Sequence, residues 1–272
     1  MSVVEGESIL LTEWLDSGLA ETIFQTLAEQ IPFRKMSNFG SDVPRLVAVQ
    51  HAPSREGDVP VYRHPTDASP PSQLFSPIIA NLVSRINALL GTSLNHALIQ
   101  HYRTGVDNIS EHSDKTIDIV PGSVIVNASF GAQRTMTLRC KANRSSEGVR
   151  EMKENIAVPL PHNSLFVMTL ETNAAWTHAI RANKRAARDQ SEAELSYNGS
   201  RISLTLREIG TFITPDGRIY GSGARNRCRS EACQIDPGES AWDELILGFG
   251  KENKGRSIDF GGYYARGSDA LH

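Results

Sequence analysis

From residue 97 to 209 the chain is written in short β-rich runs separated by turn residues: ALIQHY (97–102), GSVIVNASF (122–130), RTMTLRC (134–140), SLFVM (164–168) and RISLTLREI (201–209). Strands of this length and spacing predict a sandwich, jelly roll or barrel. Upstream the period lengthens. Leu15, Leu19, Ile23, Leu27 and Ile31 recur at helical spacing within residues 8–31, and Leu74, Ile78, Leu82, Ile86 and Leu89 do so within 74–91, where Gly91 follows as a C-cap. Both segments predict amphipathic helices that support the strands. Between them the chain is rich in Pro, Ser, Asp and Arg and reads as loops, with PRLVAVQHA (44–52) as its strand. Residues 181–200 are a polar insertion between two strands and predict a long surface loop. ESAWDELILGFG (239–250) predicts a short helix in a tail rich in Gly, Arg and Asp.

With 272 residues and 39% hydrophobic content the chain buries a substantial core. It reads as one domain over 1–272: helical support at about 8–91, a strand core at about 97–210 and a C-terminal extension at about 211–272. The 28 basic and 31 acidic residues leave a formal charge of -3, so the molecule as a whole is no electrostatic magnet for nucleic acid. Cys140, Cys228 and Cys233 form no C-x-x-C pair, which argues against a zinc cluster or a disulfide framework. No apolar run approaches a membrane span, and the first residues lack a basic-then-apolar leader. The expectation is a soluble intracellular protein with no membrane partner, cytoplasmic, with the nucleus left open.

Candidate chemistry begins at EHSDKT (111–116), where His112 and Asp114 stand two apart. In a strand, residues two apart share a face, so an imidazole and a carboxylate are offered to one ion, although a polar loop contains the same letters. Two histidines and a carboxylate on one face form the ligand set of non-heme Fe(II) oxygenases. His178, in AAWTHAIRA, is the candidate third ligand. In RISLTLR (201–207) polar and apolar residues alternate without a fault: Arg201, Ser203, Thr205 and Arg207 share one face, and Ile202, Leu204 and Leu206 the other. On a surface strand that polar face meets water. Inside a jelly roll its guanidinium groups would pair with a buried carboxylate.

Taken in order, ALIQHYRTGVDNISEHSD, NASFGAQRTMTLR, NSLFVMTLETNAAWTHAI and RISLTLR resemble the AlkB-like family of Fe(II)- and 2-oxoglutarate-dependent dioxygenases, over about residues 70–210. The resemblance implies an α+β, mainly β fold: a double-stranded β-helix, or jelly roll, with supporting N-terminal helices. It implies an oxidoreductase that uses Fe(II), 2-oxoglutarate as cosubstrate and O2, and releases succinate and CO2. The implied iron ligands, and catalytic residues, are His112, Asp114 and His178. Tyr102 and Arg201 are implied contacts of the distal carboxylate of 2-oxoglutarate. Ser203 adds a hydroxyl beside them, and Arg207 lies nearer the metal end, by the 1-carboxylate and Asp114. Where the family commonly has asparagine two residues before the tyrosine, this chain has Gln100, which keeps the amide and adds a methylene. In SFGAQR, Ser129 and Gly131 read as shaping a strand end and Arg134 as pairing with an acid. Trp176 reads as walling the pocket or as packing under a loop.

Two substrate classes and one non-catalytic reading follow. The favoured expectation is oxidation of an unactivated C–H bond in a small molecule, such as an amino acid or biosynthetic intermediate, by hydroxylation or ring formation. It rests on the negative net charge, on Thr116 where the bacterial enzyme has a base-reading acid, and on the tail GGYYARGSDALH, which resembles extensions on fungal members. The alternative is oxidative demethylation of alkylated nucleic-acid bases, supported by Arg181, Lys184, Arg185 and Arg188 after His178 and by Arg225, Arg227 and Arg229 in the tail. A non-catalytic binding module on the same scaffold is the third reading, and an intact set of metal ligands argues against it. Residues 34–72 and 181–200 are the loops expected to cover the barrel mouth.

Overall fold

In the computed structural model the chain is described over residues 2–4, 8–38, 40–66, 69–141, 155–255 and 264–271. In chain order the elements that build the site are β1 (Ser8–Thr12), α1 (Ser17–Gln30), β2 (Leu46–His51), α2 (Pro77–Leu90), β3 (His96–Tyr102), β4 (Ile109–His112), β5 (Val124–Gly131) and β6 (Arg134–Cys140). After them come β7 (Asn155–Leu160), β8 (Ser164–Thr169), β9 (Trp176–Ile180), β10 (Arg201–Arg207) and α3 (Glu239–Glu252). One sheet runs Ser2–Val4, β1, β8, β5, β10, β3, β2, Gln73–Leu74, and a second runs β7, β6, β9, β4. Pairing is antiparallel except where Gln73–Leu74 joins β2. The two sheets face each other across a core that includes Tyr102, Ile125, Leu138, Phe166 and Ile180. This is the α+β, mainly β jelly roll with supporting helices.

The helices cover the outer face of the larger sheet. Ile23 and Leu27 of α1 and Ile79, Leu82 and Ile86 of α2 pack with Ile99, Val126, Ala128 and Leu204. β10 is therefore covered on both faces and all seven of its residues are buried. Its apolar face meets the helix layer, so its polar face is directed between the sheets, where unpaired polar groups are expensive.

Residues 8–12 form a strand and not the start of a helix. Ser8 and Leu10 are buried while Ile9 is 40% exposed, the alternation of a strand laid along β8. The helix begins after Asp16, whose carboxylate accepts the Leu19 N–H. The buried stripe of α2 is Ile79, Leu82, Val83 and Ile86, rotated from the expected one. Leu74 precedes the helix, and Leu89 faces solvent. Gly91 caps it in the left-handed conformation, as the sequence predicts. The polar insertion contains a single turn of helix, Glu192–Leu195, closed by a capping box on Ser191. Of the tail GGYYARGSDALH, residues 261–263 and 272 lie outside the described residues. No helix among the described residues is long and apolar enough to cross a membrane.

Candidate active site

Strand register brings the three ligand candidates together. β9 pairs with β4 so that His178 stands opposite His112, with ring centroids 4.4 Å apart. Just past the end of β4 the chain turns Asp114 back towards them. Its Oδ1 is 3.7 Å from Nε2 of His112 and 3.7 Å from Nε2 of His178. Both separations exceed a hydrogen bond, and the three ligand atoms all lie within 4.8 Å of one another. They surround a common point without bonding each other. His112 Nδ1 is 2.8 Å from the Ser110 carbonyl, so Nδ1 carries the proton and the Nε2 lone pair faces the cluster.

Asp114 is held on every side but that one. Its Oδ2 accepts from Arg207 Nε at 3.0 Å and Nη2 at 2.7 Å. Asn173 grips its backbone twice: Oδ1 accepts the Asp114 N–H at 2.9 Å, and Nδ2 donates to the Asp114 carbonyl at 3.0 Å. The Arg207 guanidinium lies 4.0 Å over the Tyr62 ring. Burial favours the neutral form at all three ligand positions. It lowers His178, and with the adjacent His178 ring it brings His112 down to about 3. Burial alone would raise Asp114, but the Arg207 charge and then the two imidazoles outweigh it and hold the carboxyl well below its ordinary range. At neutral pH the set is two neutral imidazoles and a carboxylate, the donor chemistry of a mononuclear Fe(II) site.

A cavity of about 380 Å³ runs between the sheets from these ligands to Arg201 and Tyr102. Register sets Arg201 opposite Tyr102, and Ser203 opposite Gln100. Arg201 Nη2 donates to Asn127 Oδ1 at 2.9 Å and Ser129 Oγ at 2.7 Å, both neutral groups. Arg201 Nε, Ser203 Oγ and Arg207 Nη1 are buried with no partner among the described residues. Burial lowers Arg201 to about 10. A guanidinium this deep, held only by neutral groups, calls for an anion. A carboxylate of 2-oxoglutarate fits that need at Arg201; at the other end of β10 Arg207 is already paired with Asp114 and has only Nη1 to offer a second acceptor.

Other candidates fall in different places. Ser203 is enclosed beside the cavity and does not line it. Gln100 does line it, but its Oε1 is taken at 2.6 Å by Arg45 Nε and stands 3.5 Å from the Tyr102 hydroxyl. Trp176 packs in the core between the sheets. Arg134 binds the carbonyls of Thr104, Asp107 and Arg181 where an acid was expected. Of the two loops expected over the mouth, 34–72 supplies Met36, Val43, Arg45, Tyr62 and His64, whereas 181–200 supplies nothing. Arg185 pairs with Glu194 on its own loop. In the tail, Arg229 pairs with Asp58, and Arg227 binds backbone carbonyls. Sequence reasoning missed Arg45, Tyr62, Asn127 and Asn173. A polar Asn173 inside the short turn Leu170–Ala175 was the one available signal.

A jelly roll with this ligand set defines a class, the mononuclear Fe(II) dioxygenases that take 2-oxoglutarate and O2. The sequence model described as "2OG-Fe(II) oxygenase superfamily" matches residues 7–207. Human DNA oxidative demethylase ALKBH2 is 27% identical over 212 residues, covering 75% of this chain and 74% of that protein. The rat alpha-ketoglutarate-dependent dioxygenase alkB homolog 3 is 29% identical over 200 residues, 72% of this chain and 62% of its own. Among solved structures, a prolyl hydroxylase from Trichoplax adhaerens aligns over 75% of this chain and 84% of that one, with 12% identity and a TM-score of 0.47. The chain belongs to the 2OG-Fe(II) oxygenase superfamily, as an AlkB-like dioxygenase.

These relatives overturn the expectation of a small-molecule substrate, because human and mouse ALKBH2, each matched over 75% of this chain, are DNA oxidative demethylases. The features behind that expectation do not carry it either. Thr116 does not line the cavity: its N–H and Oγ1 both donate to Glu252 Oε1, at 2.9 and 2.6 Å. Net charge averages over the surface and is silent about one groove.

Proposed function

We propose that the protein oxidatively dealkylates nucleic-acid bases, with iron held by His112, Asp114 and His178. In this reading 2-oxoglutarate is received by Arg201 and Tyr102 at one end and Arg207 at the other, with Ser203 and Gln100 alongside. The observation that carries the proposal is the similarity to DNA oxidative demethylases over 75% of this chain. When bound, iron with 2-oxoglutarate and O2 supplies oxidation of a C–H bond, with release of succinate and CO2. The protein's part is to aim that bond and exclude water. If the oxidised carbon is a methyl group on a ring nitrogen, the hydroxymethyl product collapses to formaldehyde and the restored base.

The wall facing the ligands suits a planar ring. Tyr62 and His64, with ring centroids 5.5 Å apart, stand there with Met36, Val43 and Pro65. A base reaches this site only by leaving its stack. We read the protein as working inside the cell, in the cytoplasm or nucleus, where such a substrate is met. The C-terminal extension is read as part of one domain with the jelly roll. Supporting this, Arg63 pairs with Asp118 and donates to the carbonyls of Gly223, Ser268 and Ala270.

The test is turnover with Fe(II) and 2-oxoglutarate on oligonucleotides carrying N-methylated bases, beside unmodified oligonucleotides and free amino acids. Succinate and formaldehyde released together, with methylated oligonucleotide only, are expected. Stimulation confined to free amino acids would overturn the substrate reading.

A further inference from the structure

The loop that carries Asp114 hangs on side chains, not on a strand ladder. Ser113 N donates to Asn253 Oδ1 at 3.0 Å, Asp114 N to Asn173 Oδ1 at 2.9 Å, Lys115 N to the Tyr62 hydroxyl at 2.9 Å and Thr116 N to Glu252 Oε1 at 2.9 Å. Four consecutive N–H groups are thus taken by four residues from distant parts of the chain. Two of the four, Glu252 and Asn253, stand at the C-terminal end of α3, beyond the residues that the superfamily model matches.

The attachment is reinforced from both sides. Lys115 Nζ donates to Asn253 Oδ1 at 2.5 Å and to the Ser113 carbonyl at 2.8 Å. Glu252 accepts from the Thr116 hydroxyl at 2.6 Å and the Tyr264 hydroxyl at 2.8 Å, and its backbone carbonyl accepts from Lys141 Nζ at 2.7 Å. Glu252 is 3% exposed. Leu245 and Phe249 of α3 seat the helix against Ile117 and Tyr264. A buried carboxylate is tolerated only with such a set of donors, and here two of the three come from the loop itself, the Thr116 N–H and hydroxyl, with the Tyr264 hydroxyl as the third.

We propose that the end of α3 is a positioning clamp for the iron-ligand loop. By holding Ser113 and Thr116 on either side of Asp114, Glu252 and Asn253 fix the carboxylate where its Oδ1 meets Nε2 of both histidines before any metal arrives. They are positioning residues, acting through the loop backbone, and their effect is on metal affinity. The proposal rests on the reading that His112, Asp114 and His178 hold the metal.

The experiment measures Mn(II) binding to the full-length metal-free protein by electron paramagnetic resonance, with thermal unfolding of each variant recorded beside it. Wild type binds one ion, and Asp114→Ala abolishes binding. Absence of binding in the wild type would sink the metal site and the clamp with it. Asn253→Ala and Glu252→Ala, which remove the acceptors, are expected to weaken Mn(II) affinity by roughly 10- to 100-fold. Asn253→Asp and Glu252→Gln keep an acceptor oxygen in place and should stay within a few-fold of wild type. Wild-type Mn(II) affinity in Asn253→Ala, or equal losses in Asn253→Ala and Asn253→Asp, would overturn the clamp while leaving the metal site standing. A purely structural role lowers Tm without moving the affinity measured well below it. If Glu252→Ala does not fold, the Asn253 pair decides.

Discussion

Arg207 and Asp114 form a buried ion pair, Nη2 to Oδ2 at 2.7 Å, in which the two carboxylate oxygens have separate duties. Oδ2 is spent on the guanidinium and Oδ1 is left facing the histidines. Neither side chain is more than 4% exposed, so removing one partner strands the other charge in the interior. Arg207→Met is expected to cost about 3–5 kcal/mol in the metal-free protein, read from urea unfolding. A loss below about 1 kcal/mol would mean that the Asp114 charge is compensated elsewhere.

Arg201 makes a separable prediction because it lies at the far end of the same strand. Its charge is balanced only by neutral oxygens in the free protein, so its value is realised when a carboxylate arrives. Arg201→Ala should raise the KM for 2-oxoglutarate by roughly 10- to 100-fold, the worth of a hydrogen bond to a charged group. Mn(II) affinity and the KM for the oligonucleotide should stay put. An unchanged 2-oxoglutarate requirement would move the anchor off Arg201.

Gly131 ends β5 opposite Arg201 in the register and takes a φ of +95°. A Cβ there would lie 2.4 Å from the Ser200 carbonyl oxygen. Gly131→Ala therefore meets backbone strain and a clash with backbone together, and a loss of at least about 2 kcal/mol is expected by chemical denaturation. The same displacement should weaken 2-oxoglutarate binding. Wild-type stability in this variant would show that the strand end relaxes freely.

What the sequence made legible follows the range of the interactions. The polar face of RISLTLR is a local fact, and period two carried it into the space between the sheets; His112 and Asp114 share no strand face, because β4 ends at His112 and a turned loop brings Asp114 back. His178 was legible because it follows a strand that could be recognised. The strand at Ser8–Thr12 was not, since ILL followed by helical spacing looks like the start of that helix until β8 is there to pair with it. Asn173, Tyr62, Glu252 and Asn253 were illegible for another reason: each acts on the 113–116 backbone from 50 or more residues away in sequence. Thr116 shows the hazard. Its motif position suggested a missing base contact, whereas its hydroxyl points at the end of α3.

Histidines buried or half-buried in and around the cavity set the response to acid. Burial, then the Arg207 charge, lowers His64 to about 4 and His96 well below its ordinary value. Burial with the His178 ring takes His112 to about 3, and burial lowers His178 as well. Unfolded, each titrates near 6.5. Between those values the unfolded chain binds protons that the folded chain refuses, so stability is full above pH 6.5 and is lost as pH falls towards 4 and 3. Carboxylates held down by partners, Asp114 foremost, add their own loss only nearer pH 4 and below. In the window from pH 6.5 to 4.5 the imidazoles are opposed by Glu252, whose carboxyl burial raises, so that it takes up its proton in the fold and partly offsets their loss. The Tm of the metal-free protein is expected to fall steadily across it, and His96→Gln, which replaces a buried imidazole with a group that cannot titrate, should flatten part of the slope. A Tm that is level from pH 7.5 to 4.5 would mean that these rings take up protons as freely in the fold as out of it.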